Sequence, residues 1–515
     1  MVIPEGVKIT VSGNPIGLGK HRKSAVFGPI LTSAKYQIHN NNIDNILLGL
    51  VERVFRVKNS VGELVAPVFP DLKHFNETLS VEMRNLCAHP QLKPLPSTSV
   101  LKLWHGSKLK VYTRAYNSLL VTPLSRRDSV LSTFVKVEKN LVNPRKIAVP
   151  RVIQPRNPRY NFELAKYLKP NEKEFYRRVD KMWDIDGLGD KTIFKGMNAK
   201  QTAYHMLLKA SRYHKPVFIG LDASRFDQHV SSVALEWEHQ IYKNCFSYGI
   251  RKLTELLSWQ VQNIGRAYCQ GQIIKYKVNG RRMSGDMNTS LGNCLLMSSM
   301  VHAYMREKNI PSSLANNGDD CVLMFEKKHL SKLHDLSDWF IKMGFKMVIE
   351  EPLFDLREVP FCQTNVLTSP GYNISVRAPQ VALSKDLHST YNFNHTNHYE
   401  QWLSSVGICG KMSTQGIPVL EAFYNSFPNL NVTNKDFILE MEREIEYGMV
   451  GGSEIRNISD EMRISFWRAF GILPDAQIEL EMMYKSIKFT GDTYRSIESV
   501  SSIPYASLLQ SILKI

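Results

Sequence analysis

The chain has 515 residues, 43% of them hydrophobic, which is enough for a large buried core and, as a soft prior, for about three domains of mass. Lys and Arg outnumber Asp and Glu by 65 to 48. The resulting +17, with a pI near 9.4, favours a polyanionic partner over an acidic-substrate pocket, nucleic acid first and a membrane surface second.

Seven scattered cysteines, with no CxxC pair and no His at zinc-ligand spacing, exclude a disulfide scaffold or a zinc finger and imply a reducing compartment. The N-terminal MVIPEGVKIT lacks a signal pattern. The longest apolar stretch, residues 291–304, is broken by Asn293, Ser298, Ser299 and His302, too polar for a membrane span.

In chain order, the first hundred residues mix short β-prone runs with Pro and Gly. GNPIGLGK, Gly13 to Lys20, imitates a phosphate-binding loop. It has five residues rather than four between Gly13 and Gly19, and His21 where Ser or Thr is needed, so an ATPase reading is set aside. Residues 136–159 carry seven cations, Arg145, Lys146, Arg151 and Arg156 among them, against the single acid Glu138. Pro144, Pro150, Pro155 and Pro158 exclude a long helix there and predict stiff extended segments. Such a run is either a solvated face or, with Val149, Val152 and Ile153 as apolar anchors, a support for guanidiniums aimed at phosphates.

Residues 161–212 have helical periodicity, interrupted at DGLGDK. Val217 to Leu221 reads as a buried strand ending at Asp222, with Asp227 at the mouth of a following helix. A helical stretch is expected to about Tyr268, then a basic hairpin, IIKYKVNGRRM, turning at Asn279 and Gly280. In SGDMNTSLGN, Ser284 to Asn293, Gly285 permits a bend, Asp286, Asn288 and Thr289 can cap, and residues 291–304 read as the helix that follows. This is either a plain capped helix start or an arrangement suited to anions and hydroxyls. NNGDDCVLMFE then places Asp319 and Asp320 at a turn before a strand. Two adjacent carboxylates are stable when solvated or when a cation lies between them, and in isolation the solvated turn is the simpler reading. An amphipathic helix is expected over 330–343, and helices dominate from about residue 375, with Trp402, Trp467, Met482 and Met483 read as core.

Taken together, a strand-end Asp, a second Asp five residues on, a Ser-Gly loop with Thr and Asn, and a paired Asp turn are parts of a two-metal nucleotidyl transfer site. At these motifs the chain resembles the viral RNA-dependent RNA polymerases of tombusvirus and carmovirus type. DASRFD (222–227), SGDMNTSLGN, GDD (318–320) and PRVIQPRNPRY (150–160) are similar to that family's motifs A, B, C and F, and residues 405–424 to a thumb segment.

The resemblance implies an α+β fold, a closed right hand. Its fingers would come from residues 1–215 with an insertion at 236–281, its palm, an antiparallel sheet with acidic strands, from 216–235 and 282–372, and its helical thumb from 373–515. It implies RNA-directed RNA synthesis in viral genome replication and transcription, with Mg2+, or Mn2+ in its place, held by Asp222, Asp319 and Asp320. Asp227, Ser284, Thr289 and Asn293 would read the ribose. Arg145, Lys146, Arg151 and Arg156 would meet the triphosphate, and residues 361–364 would grip nucleic acid. A lysine that protonates pyrophosphate is ambiguous between Lys342 and Lys346. The implied partners are template and nascent RNA, NTPs, a viral auxiliary replication protein and host membrane factors, in the host cytoplasm at membrane-associated replication complexes. A reverse transcriptase would keep the acids, but Asn316 and Asn317 replace its usual YxDD context; a basic RNA-binding protein would explain +17 but not four ordered motifs.

Overall fold

The computed structural model describes residues 7–14, 16, 22–28, 34–59, 61–89, 91–143, 148–391, 393, 395, 397–430 and 456–498. Most of the loop at 13–20, Arg145, Lys146 and the C-terminal tail lie outside the described residues.

The central sheet has the order Ser312–Asn316, Asp320–Glu326, Pro216–Ala223, Met347–Ile349, antiparallel throughout. Its two inner strands read as continuous apolar runs because both faces are covered. Val217, Ile219, Leu221, Leu323 and Phe325 face a large core that includes the helices Pro158–Trp183, Ser232–Cys245 and Thr289–Glu307. Phe218, Val322 and Met324 face the other way, against Phe194, Met206 and Phe361. With the side chains between them buried, polar residues are displaced to the strand ends, which is where Asp222 and Asp320 sit.

A second sheet joins distant segments in the order Lys8–Ser12, Gln272–Asn279, Gln262–Cys269, Leu131–Ser132. Here the structure corrects the expected hairpin. The preceding helix, Ile250–Val261, stops at Val261, and the chain turns at Gln270 and Gly271 rather than at Asn279 and Gly280. Gln270 and Gly271 both have positive φ, 51° and 73°, the geometry that matches a two-residue turn to the twist of its strands.

The C-terminal body has its own core around Trp402, Leu403, Phe423, Phe466 and Tyr484. It is not purely helical: Lys23–Val26 lies between His388–Ser389 and Arg495–Glu498 in a three-stranded sheet, and Phe27 stacks on Trp402 at 5.2 Å. Residues 23–27 thus pack with the C-terminal helices rather than with the rest of 1–215, and the boundary at 372/373 falls inside the strand Tyr372–Arg377. Met482, expected in the core, is exposed. The helix expected over 330–343 is split into Lys327–Leu333 and Leu336–Lys342 at Asp335, which is drawn to Tyr304 and Lys308. Among the described residues no helix is long and apolar enough to cross a membrane.

Candidate active site

Asp222 stands directly opposite Asp320 in the sheet register, and Asp319 occupies the turn between the two hairpin strands. That turn is locked by Asn316, whose side chain accepts from the Gly318 N–H at 3.1 Å and donates to the Gly318 carbonyl at 2.8 Å. Gly318 has φ +96°, which only glycine adopts without strain, and a Cβ there would stand 3.7 Å from Lys195 Nζ and 4.0 Å from Asn293 Cβ.

The carboxylates disturb one another. Burial, then the charge of Asp319, holds Asp222 above the ordinary carboxylate range. Asp320 is pushed up to about 6 by burial, against the Cys362 N–H that donates to its Oδ2 at 2.9 Å, with Asp319 and Asp222 raising it further. Glu350 is raised by burial and by Asp222, a fourth carboxylate that no sequence motif announces. This all-oxygen, mutually repelling donor set suits a hard divalent cation. Among the described residues no group of three or more His, Cys, Asp or Glu is already drawn together at ligating distances.

Beside the carboxylates, Asn293 donates from Nδ2 to Asp227 Oδ1 at 2.9 Å and accepts from Arg282 Nε at 3.1 Å, so its amide has one orientation. Arg282 forms a fully buried pair with Glu238, which also accepts from Asn288 and Tyr242, each at 2.7 Å. Gly292 lets this network pass, since a Cβ there would collide with both Arg282 and Glu238. Asp227 is held above the usual carboxylate range by burial, offset by Asn293, Arg282 and Arg151. Ser284 is tied to the proline-rich strand through its carbonyl, which accepts from the Gln154 N–H at 2.6 Å. The Thr289 hydroxyl donates to the Met283 carbonyl at 3.0 Å, which makes it a fastening of the loop.

Burial also lowers His239 to about 4, where its ring meets Gln260, and lowers His229 to about 4. The unfolded chain takes up these protons near pH 6.5 and the folded chain does not. Each histidine therefore removes stability as pH falls from about 6.5 toward 4, by roughly 1.4 kcal/mol per pH unit. Denaturant titrations at pH 7 and pH 5 should show that loss, and His239→Gln should reduce it.

The cations divide. Arg151 is half exposed, 3.6 Å from Glu138, and its charge reaches Asp227. Arg156 departs from the expectation: its guanidinium is buried in a two-pronged pair with Asp286 and also donates to the Ser129 carbonyl and Asn263. With its donors used inside the protein, it fastens the proline-rich strand to the loop before helix Thr289–Glu307. Two further arginines stand near Arg151: Arg53, which belongs to no motif in the sequence, and Arg225, which lies inside the DASRFD segment, where the resemblance gives it no role. Arg53 is lowered to about 10 by burial and by the neighbouring charges of Arg225 and Arg151, which marks a cluster of three guanidiniums. The Lys346 carbonyl accepts from the Ser224 N–H at 3.0 Å, which puts its backbone beside the segment that follows Asp222, whereas Lys342 ends a helix. Phe361 is buried and exchanges backbone hydrogen bonds with Thr364 in a tight turn, from which the Cys362 N–H reaches Asp320.

A sequence profile of the family described as "Viral RNA dependent RNA polymerase" matches residues 9–492. The chain belongs to that family. This family member is 40% identical over 485 residues to the RNA-directed RNA polymerase of Pothos latent virus, covering 93% of the chain and 64% of the relative. It is 39% identical to that of Tomato bushy stunt virus, covering 93% of the chain and 58% of the relative. With the Carnation mottle virus protein it shares 37% identity over 94% of its own length and 63% of the relative's. The polymerase-family chain thus spans less than two thirds of the length of these curated relatives.

Proposed function

We propose that the chain is the catalytic part of an RNA-directed RNA polymerase that copies viral RNA in genome replication and transcription. The observation that carries this reading is the convergence of Asp222, Asp319 and Asp320 at one sheet end, with the Asp227–Asn293 pair against the same turn. In this reading the central sheet is the palm of a closed right hand, the sheet containing Lys8–Ser12 belongs to the fingers, and the body around Trp402 is the thumb.

Asp222, Asp319 and Asp320 would hold two Mg2+ ions. When bound, the ions supply a lowered pKa for the 3′-hydroxyl and neutralise the triphosphate. The protein's own side chains do the rest. Asp227 accepts, and Asn293 donates, at a ribose 2′-hydroxyl, with Ser284 at the adjoining loop. Arg151, Arg53 and Arg225 attract the triphosphate, and of the two candidate lysines Lys346, whose backbone meets Ser224, would give pyrophosphate a proton. An auxiliary viral protein, host membrane factors and a cytoplasmic membrane site belong to the proposal by analogy with the family. Purified protein given a short RNA template, labelled NTPs and Mg2+ should incorporate label; a folded protein that incorporates none would refute the reading.

Asn293→Ala removes the donor to the 2′-hydroxyl and should narrow the preference for GTP over dGTP by about tenfold, because unmet polar groups in a site are what reject an analogue. An unchanged ratio in both Asn293→Ala and Asp227→Ala contradicts the ribose assignment. Arg151→Ala should raise the apparent KM for nucleotides about tenfold, the worth of one charge-assisted hydrogen bond, with little change in template affinity. Arg151→Lys should rescue in part, since a point charge lacks the forked geometry. A normal nucleotide KM with weakened RNA binding would move Arg151 to the template.

A further inference from the structure

The outward face of the second sheet is arranged in a way that the active site does not explain. Along Lys8–Ser12, Gln272–Asn279 and Gln262–Cys269 there is no Asp or Glu. Lys8 is the direct cross-strand partner of Lys277, and Lys275 that of Arg266. All four are exposed, and among the described residues none is paired with a carboxylate. Like charges facing each other across strands destabilise a sheet, so two such pairs side by side are relieved by a bound anion. An open groove of about 450 Å³ runs over these residues, lined also by Thr10 and Ile264. At its far end Tyr268 is 58% exposed, steadied by Arg266, which donates to its hydroxyl at 3.1 Å.

We propose that this sheet face binds single-stranded RNA outside the catalytic site, a reading that rests on the proposed function only for the class of nucleic acid. Cations two residues apart on a strand are about 6.7 Å apart, a spacing comparable with successive phosphates of an extended strand. An exposed tyrosine beside them offers a ring on which a base can stack, the usual pairing of a basic groove and an aromatic platform. The strand Gln272–Asn279 runs on through Gly280 to Ser284, so the Lys277 end of the track is the end nearer the active site. A bilayer fits less well, because the apolar side chains of this face, Ile264 and Ile273, are half-buried beside the cations and Thr10 and do not form a protruding apolar surface that could enter it.

The test uses the full chain and the variant Lys8→Ala/Lys275→Ala/Lys277→Ala, with a labelled 30-nucleotide oligouridylate, an 8-nucleotide template and phosphatidylserine vesicles. The variant should bind the 30-mer about tenfold more weakly, with the slope of log affinity against log salt reduced by about 2, roughly 0.7 for each phosphate that is no longer neutralised. Incorporation on the 8-mer should match wild type, which also shows that the variant is folded. Tyr268→Ala should weaken the 30-mer severalfold with no change in salt slope. Unchanged 30-mer affinity and slope in the triple variant would overturn the proposal, as would loss of vesicle binding with RNA affinity intact. Failure of the wild type on the 8-mer would count against the polymerase reading instead, since 30-mer binding is measured without synthesis.

Discussion

Asp319→Asn should reduce nucleotide incorporation to background while leaving RNA affinity close to wild type. The carboxamide keeps the size of the side chain and removes the charge that a divalent cation needs. Asp319 is exposed in a turn whose geometry depends on Asn316 and Gly318, so the substitution should not disturb the fold. Incorporation at a comparable rate would refute the ligand assignment, and joint loss of RNA binding would indicate a damaged fold instead. Because Asp319 raises both Asp222 and Asp320, the variant should also bring those two carboxyls back toward their ordinary range.

The second large effect is expected at Glu238, which touches no substrate in the proposed mechanism. Glu238→Ala leaves Arg282 charged and unpaired where both side chains are fully buried, a change that typically costs about 3–5 kcal/mol. Asn288 and Tyr242 lose an acceptor at the same time. The denaturant midpoint should fall accordingly, and what activity survives should discriminate ribose poorly, since Arg282 orients Asn293. Glu238→Gln, which keeps acceptors in place, should fall between the two. A Glu238→Ala protein within about 1 kcal/mol of wild type would show that the network contributes little.

Interactions between near neighbours leave a pattern in the sequence, and those between distant segments do not. The central strands are legible because both of their faces are buried and charged residues mark their ends, so Val217 to Leu221 and Cys321 to Phe325 stand out as runs. The carboxylates come with them. The hairpin at Gln270 and Gly271 is hidden because Asn279–Gly280 is the stronger turn signal, and the helical period of residues 250–261 masks the strand that follows. Arg156 reads as a triphosphate ligand because its partner, Asp286, lies 130 residues away and no local pattern couples them. Arg53, Lys195 and Glu350 are brought to the site only by tertiary packing, whereas Arg225 sits inside DASRFD with nothing local to mark its role. The placement of Lys23–Val26 between two C-terminal strands is of the same kind: a pairing across more than 400 residues has no periodicity to reveal it.

If an RNA template directs synthesis at the Asp222–Asp319–Asp320 site, the templating base alone decides which nucleotide is joined first. The purified chain is given four short RNAs that differ only at one templating position, with all four NTPs and Mg2+, and the first nucleotide added is identified. The added nucleotide should be the complement of the templating base in each case. The same nucleotide added on all four RNAs, or none added by a folded protein, would contradict template-directed synthesis at this site.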